Sequence, residues 1–404
     1  MKKNLRKICL VTALIMSAVS MFGCSSSKGG SSSASSSASS SGNEASGETI
    51  NIGALYNLTG GQASIDEPSY KGFKLAAKEI NANGGINGKM INVVNYDGKT
   101  EQTTCANNVK KMIDVDKCVV IAGLSDSNYA LAAGSIAQSK GVPFITSGAT
   151  LPSLPDQIGD LAFLAPFGDN IQAYACADYA IDELKADKCF LLTDQSMEFT
   201  KTLSSFFVER YEKNGGEIVV SDNYMNKDPD FSAQIDKFLA DPKDANIIFI
   251  SGVPDDAGVI VKQIRDKGIT LPIISGDGFD TPLLMEVAGD QANDTYVGTH
   301  ASLENTDETM VNFINNYTAE YGTAPENAFA GLGYDTMYII ADALSRSASL
   351  DGKDIATAIG ETTELKGVTG TVTYENGSHV PTKSVTINKV EDGKFKFMTE
   401  VTPK

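Results

Sequence analysis

Three short stretches gather hydroxyl, amide and carboxyl groups where the chain is set to turn. They are Gly-Leu-Ser-Asp-Ser at 123–127, Thr-Ser-Gly-Ala-Thr at 146–150 and Ser-Gly-Asp-Gly at 275–278. Small residues leave backbone N–H groups open, and a helix that follows such a turn favours negative charge at its N-terminus. Ser127 and Thr150 add hydroxyl donors. Together these groups suit a bound carboxylate. The same residues also turn chains and cap helices, and spacing alone leaves both readings open.

Catalytic chemistry is poorly provided for. The 404 residues contain two histidines, His300 in a connecting segment and His379 in a C-terminal turn. A histidine-dependent hydrolase needs one beside a nucleophile. Metalloprotease, P-loop, nucleophile-elbow and EF-hand patterns are absent from the sequence. Asp97, Asp126, Asp277 and Asp280 offer acids for a glycosidase-type pair, but the chain has no Trp to stack a sugar. No enzyme, metal or cofactor is expected.

The elements that must carry the three stretches alternate. Apolar periodicity predicts strands over 49–55, 90–96, 118–122 and 142–146, with helices over 69–81, 102–113 and 130–139 between them. The pattern resumes with strands over 188–193, 217–220, 247–251 and 272–275, separated by helices near 170–184, 197–213, 230–240 and 255–267. Helices over 308–321 and 328–346 precede a β-rich tail (370–374, 384–390, 394–397). Repeated βαβ units imply parallel sheets covered on both faces. Two such runs imply two doubly wound lobes, and ligands bind outside the carboxyl ends of such strands. The cleft between the lobes is the default site.

Ahead of this body, Lys2, Lys3, Arg6 and Lys7 precede an apolar run from Ile8 to Phe22, too short to span a bilayer and read as a signal peptide over 1–23. The Gly23-Cys24 junction resembles the lipobox of bacterial lipoproteins, although Met21 and Phe22 depart from its usual residues. That resemblance implies a lipid on Cys24. Residues 24–47, rich in Ser, Gly and Ala, read as a flexible tether. Removing 1–23 with its four cations takes the net charge from −18 to −22. So acidic a body argues against nucleic acid and against membrane contact other than through the anchor. Cys105, Cys118, Cys176 and Cys189 form no C-x-x-C pair and read as buried free thiols.

Many motifs then fall in order: Ile52-Gly53 with Thr59-Gly60, YKG at 70–72, EINANGGINGK at 79–89, DSNYALAAG at 126–134, GVPFITSGAT at 141–150, GDGFDTP at 276–282 and GYD at 333–335. In this the chain resembles the leucine/isoleucine/valine-binding family of ABC-transporter substrate-binding proteins from about residue 49 to its end. The resemblance implies a type I periplasmic binding protein, two doubly wound parallel-sheet lobes joined by a three-strand hinge. Lobe one would take 49–167 and 301–366, and lobe two 168–300 and 367–404. It further implies that Ser127, Ala149 and Thr150, with Ser147 and Gly148 adjoining, hold a ligand carboxylate while Asp277 takes its ammonium. Phe199 falls where the family packs an aromatic ring on the ligand, and Ile65 and Val253 fall at two further ligand-facing positions. Tyr129, Asn128 and Gln62 are of a type and position to reach the same cleft, and equally to serve as helix-start or surface residues.

The function implied is capture of an amino acid, branched-chain or otherwise hydrophobic, by hinge closure. The receptor would be a monomer, anchored by lipid outside the cytoplasmic membrane and serving ABC permease subunits. Alternatives are a binder of an amide, a urea or a small carboxylate, and a ligand-sensing receptor component.

Overall fold

A computed structural model of the chain describes residues 49–403. The signal segment, Cys24 and the tether lie outside the described residues. The first half of the body runs β1 (Thr49–Tyr56), α1 (Ala63–Ala82), β2 (Met90–Asp97), α2 (Gln102–Asp114), β3 (Val120–Gly123), α3 (Ser127–Ser139), β4 (Phe144–Thr146), α4 (Leu154–Ile158) and β5 (Ala162–Leu164). The second runs α5 (Asp169–Asp182), β6 (Lys188–Asp194), α6 (Glu198–Lys213), β7 (Glu217–Tyr224), α7 (Ser232–Ala240), β8 (Ile247–Ser251), α8 (Pro254–Asp266), β9 (Ile273–Ser275), α9 (Pro282–Ala288) and β10 (Thr295–Thr299). The chain then returns through α10 (Glu308–Tyr321), α11 (Phe329–Arg346), α12 (Gly352–Gly360), β11 (Leu365–Gly367) and β12 (Gly370–Val372), and ends in β13 (Val385–Glu391) and β14 (Lys394–Val401).

One sheet has the order β2-β1-β3-β4-β5, all parallel. The other has the order β14-β13-β10-β9-β8-β6-β7, so β6 to β10 repeat the topology of β1 to β5. This is the doubly wound order whose switch point lies beside the first strand of each sheet. Strands covered on both faces need no alternation, and Ile-Ile-Phe-Ile-Ser of β8 is buried throughout. The antiparallel pair β13–β14 closes the second sheet through Asp392-Gly393, both at positive φ, a turn whose twist matches a tight hairpin.

Helices α1, α11 and α12 cover one face of the first sheet, and α2 and α3 the other. Helix α1 meets α11 across two glycines. A Cβ at Gly72 would lie 1.8 Å from the Ala330 carbonyl oxygen, and one at Gly333 would lie 1.8 Å from that of Ser69. Only bare backbone fits there, which accounts for the YKG and GYD motifs.

The structure departs from the sequence expectation at several elements. Helix α1 starts at Ala63, not near 69, with Pro68 inside it. Proline frees the carbonyl four residues back, and that oxygen, on Ser64, accepts from Asn327 Nδ2 at 3.0 Å. Strands β5 and β10 were not expected, because three to five buried residues carry too little period to read. A boundary between 366 and 367 would cut the β11–β12 hairpin, which Asp335 of α11 ties to the first half through Val368 N, Thr369 N and Thr369 Oγ1. The chain therefore crosses between the halves after β5, after β10 and between β12 and β13. The four cysteines are buried and free. Burial pushes each thiol up to about 12, which leaves them unreactive.

Candidate functional site

A small cavity of about 10 Å³ lies where the carboxyl ends of the two sheets meet. It falls below the ~300–1,000 Å³ usual for drug-sized ligands. The first half contributes Gln62 from the β1–α1 loop, Ile65 of α1, Ser125 and Asp126 after β3, and Phe329 at the start of α11. The second half supplies Phe199 of α6, Val253 and Pro254 after β8, and Asp277 and Gly278 after β9. All but Phe329, which opens α11 after the α10–α11 loop, come from a loop or helix start beyond a strand end, as the topology requires.

Local backbone sets these loops. At Gly123 φ is +127°, and a Cβ would strike the Leu55 carbonyl oxygen at 1.8 Å, so β3 can turn away only through glycine. Leu124 follows at φ +60°, an uncommon conformation for a bulky residue. The loop then delivers Ser125 and Asp126. Asp126 caps α3 by accepting from Asn128 N at 2.9 Å, so this helix N-terminus is already occupied by an acid.

Ile65, Phe199, Val253 and Asp277 line the cavity together. The remaining sequence candidates lie behind or beside the wall. Ser147 shares a hydrogen bond with the Tyr56 hydroxyl at 2.8 Å. The amides of Gly148 and Ala149 both donate to Thr146 Oγ1, at 3.3 and 2.8 Å. Thr150 Oγ1 accepts from Gln172 Nε2 at 3.4 Å. Ser127 differs: its hydroxyl is buried without a hydrogen-bond partner, and so is that of Ser125. The Ser125 hydroxyl neighbours the Asp66 carboxyl, outside hydrogen-bond geometry. Buried polar atoms are ordinarily satisfied, and two open hydroxyls beside a cavity are the groups a ligand would satisfy.

Asp277 is 3% exposed. Its N–H donates to Gln172 Oε1 at 3.0 Å, and its Oδ2 lies 2.8 Å from His300 Nε2. Gln172 thus joins Thr150 on one side to Asp277 on the other. Burial pushes Asp277 up to about 7 and Asp126 up to about 6. Losing hydration favours the neutral acid, and a cation entering the cavity would restore the charge. Sequence reasoning missed Gln172, Ser125, Phe329 and His300 in this role. Phe329 opens the helix carrying the GYD motif and Ser125 sits inside the first stretch, so both were within reach, whereas nothing local marks Gln172 or His300.

Contacts between the halves surround the cavity. Asn128 of α3 donates to Met197 Sδ at 3.4 Å and accepts from Glu198 N at 3.3 Å. Thr281 Oγ1 donates to Ser64 Oγ at 2.9 Å. Among the described residues there is no group of three or more His, Cys, Asp or Glu arranged for a metal, and no helix is long and apolar enough to cross a membrane.

Two doubly wound sheets joined by three crossings, with a cavity of mixed lining at their facing strand ends, define a type I periplasmic binding protein. Residues 49–394 match the family model described as periplasmic binding protein. The chain belongs to that family, in the branched-chain amino acid ABC-transporter substrate-binding branch, whose members bind solutes and are not enzymes. The branched-chain amino acid transporter substrate-binding protein LivJ from Streptococcus pneumoniae, solved in complex with isoleucine, is 30% identical. Its superposition covers 88% of this chain and 100% of that one, with a TM-score of 0.82. A Leu/Ile/Val-binding protein homologue from Brucella melitensis is 26% identical over 86% of this chain and 92% of its own length. An amino acid binding protein from Pseudomonas aeruginosa is 29% identical over 240 residues, which span 59% of this chain and 63% of that relative.

Proposed function

We propose that this chain is the lipid-anchored, extracellular capture component of an ABC importer, and that it encloses an amino acid by closing its two halves. One observation carries the reading. The cavity places the buried acid Asp277 on one half across from the loop of Ser125 and Ser127, whose hydroxyls have no partner, on the other. An amino acid loses the hydration of both its charged groups on entering a cleft, so each must regain charge-assisted hydrogen bonds. Asp277 takes the ammonium. Ser127 and Ser125 take the carboxylate, with Thr150, Ala149, Ser147 and Gly148 forming the layer behind them.

Ile65, Phe199, Val253 and Phe329 are the apolar wall against the side chain. That wall supports a branched-chain or otherwise hydrophobic amino acid, as does the isoleucine held by the Streptococcus relative. Lobe one is 49–167 with the returning segment through β12, and lobe two is the remainder. A zwitterion that bridges the lobes stabilises the closed state relative to the open one, and ABC permease subunits then read the closed monomer. Cys24 supplies the lipid anchor.

Titration calorimetry against the twenty amino acids tests this, with heat expected from branched-chain members. Binding only by amides, ureas or simple carboxylates would replace it. The raised Asp277 and Asp126 favour that second reading, because neutral carboxyls donate hydrogen bonds. Mass spectrometry of membrane-extracted protein tests the anchor, and an unmodified Cys24 would remove it.

A further inference from the structure

We propose that His300 is a positioning residue for Asp277: its Nε2–H holds one carboxylate oxygen from behind and leaves the other for the ammonium of the solute. The inference rests on reading Asp277 as the ammonium acceptor. His300 follows β10, in the second crossing between the halves. Its side chain is fully buried, that of Asp277 is 4% exposed, and they meet at 2.8 Å.

The imidazole has no freedom to leave. It stacks on Phe167 of the first crossing, with ring centroids 4.3 Å apart and planes at 26°. Its other flank meets the edge of Phe329, a cavity wall residue, at 5.5 Å. A ring clamped between two aromatics presents its nitrogen at one place, which fixes the rotamer of the acid bonded to it.

The second nitrogen indicates where the proton sits. His300 Nδ1 is buried and has no hydrogen-bond partner. With the proton on Nε2, that orphan is only a lone pair. With the proton on Nδ1, a buried N–H would be stranded, and orphaned N–H groups are the rarer case. Burial holds His300 well below its usual range, and the Lys383 ammonium ahead of β13 adds to this, so the ring is neutral. A neutral donor supports the ionised acid without cancelling its charge. An imidazolium would instead compete with the ligand.

Other groups facing the pair act on Asp277 without replacing this donor. Gln172 of α5 accepts from its backbone N–H. Burial makes its ionisation harder, and its charge in turn raises the carboxyls of Asp126, Asp169 and Asp280. The Gln172 side chain and the backbone N–H groups of Asp277 and Gly278 also favour the ionised acid against burial, and His300 adds its donor at Oδ2.

The test follows Asp277 itself, by carboxyl ¹³C NMR of the ligand-free protein, in wild type, His300→Phe and His300→Gln. Phenylalanine keeps the stacking and loses the N–H, whereas glutamine restores a donor. Losing one hydrogen bond to a charged group should raise the Asp277 midpoint by about one pH unit in His300→Phe, with recovery toward wild type in His300→Gln. L-leucine affinity of His300→Phe should fall about fivefold at pH 7 and approach wild type at pH 9, where the acid ionises unaided. A packing defect would cost the same at both. A midpoint that moves by less than about 0.3 unit in a folded His300→Phe protein, or a glutamine variant that behaves as phenylalanine does, overturns the proposal. Wild type that ignores L-leucine while the midpoint still moves sinks the amino-acid reading and upholds the role of His300 on the acid.

Discussion

Replacing Asp277 by asparagine removes one charge from the cavity and almost no volume. In wild type at pH 8 the carboxyl, pushed up to about 7 by burial, is ionised before the ligand arrives. An ammonium enclosed opposite the neutral amide would be a buried charge without its anion. Breaking one side of a buried ion pair costs roughly 3–5 kcal/mol, and every 1.4 kcal/mol is tenfold in affinity. Calorimetry with L-leucine should therefore show a loss of about two to four orders of magnitude at pH 8. At pH 6 wild type is itself largely protonated, so it should bind about tenfold more weakly than at pH 8 and the gap to Asp277→Asn should narrow. The ligand-free variant should melt no lower than wild type at pH 8, because it no longer buries a charge. Affinity within about threefold of wild type at pH 8, in a protein of unchanged melting temperature, would refute the ammonium assignment.

Ser127→Ala should weaken amino-acid binding by roughly 10- to 150-fold, the worth of one hydrogen bond to a charged group; its ligand-free melting temperature should not move, since the hydroxyl has no partner to lose. Asn128→Ala deletes two bonds between the halves and should lower affinity about three- to thirtyfold while small-angle scattering shows a more open ligand-bound form. The ligand-free protein should lose stability as pH rises. Asp66, Asp256 and Asp277 are raised from 3.8 to about 7, and Asp126 and Asp280 to about 6, so the folded chain holds more protons than the unfolded one across that window. Asp169 and Asp335 are raised as well, and His300, lowered by burial, contributes with the opposite sign below 6.5, one group against seven. The melting temperature should fall from pH 5 to pH 7 and level above it, while the increment given by L-leucine grows over the same range; a flat ligand-free profile would contradict the buried acids.

The sequence by itself determined the architecture and, through it, where a candidate site should lie. Doubly wound units follow from βαβ periodicity, which is local. Ligand binding at the strand ends follows from topology, and Asp277 stood at such an end between two glycines. The family resemblance picked out Ile65, Phe199 and Val253, which the fold brings together at one cavity. Tertiary structure decided the rest. Ser147 reads as a donor along the chain but spends its hydroxyl on Tyr56, a residue 91 positions away. Gln172 and His300 read as unremarkable, because their roles exist only against Asp277, 105 and 23 positions away. Helix starts, turns and strand periods are written in neighbouring residues. Whether a hydroxyl is spent or open, and which way a buried proton faces, depends on partners that only folding brings within about 3 Å.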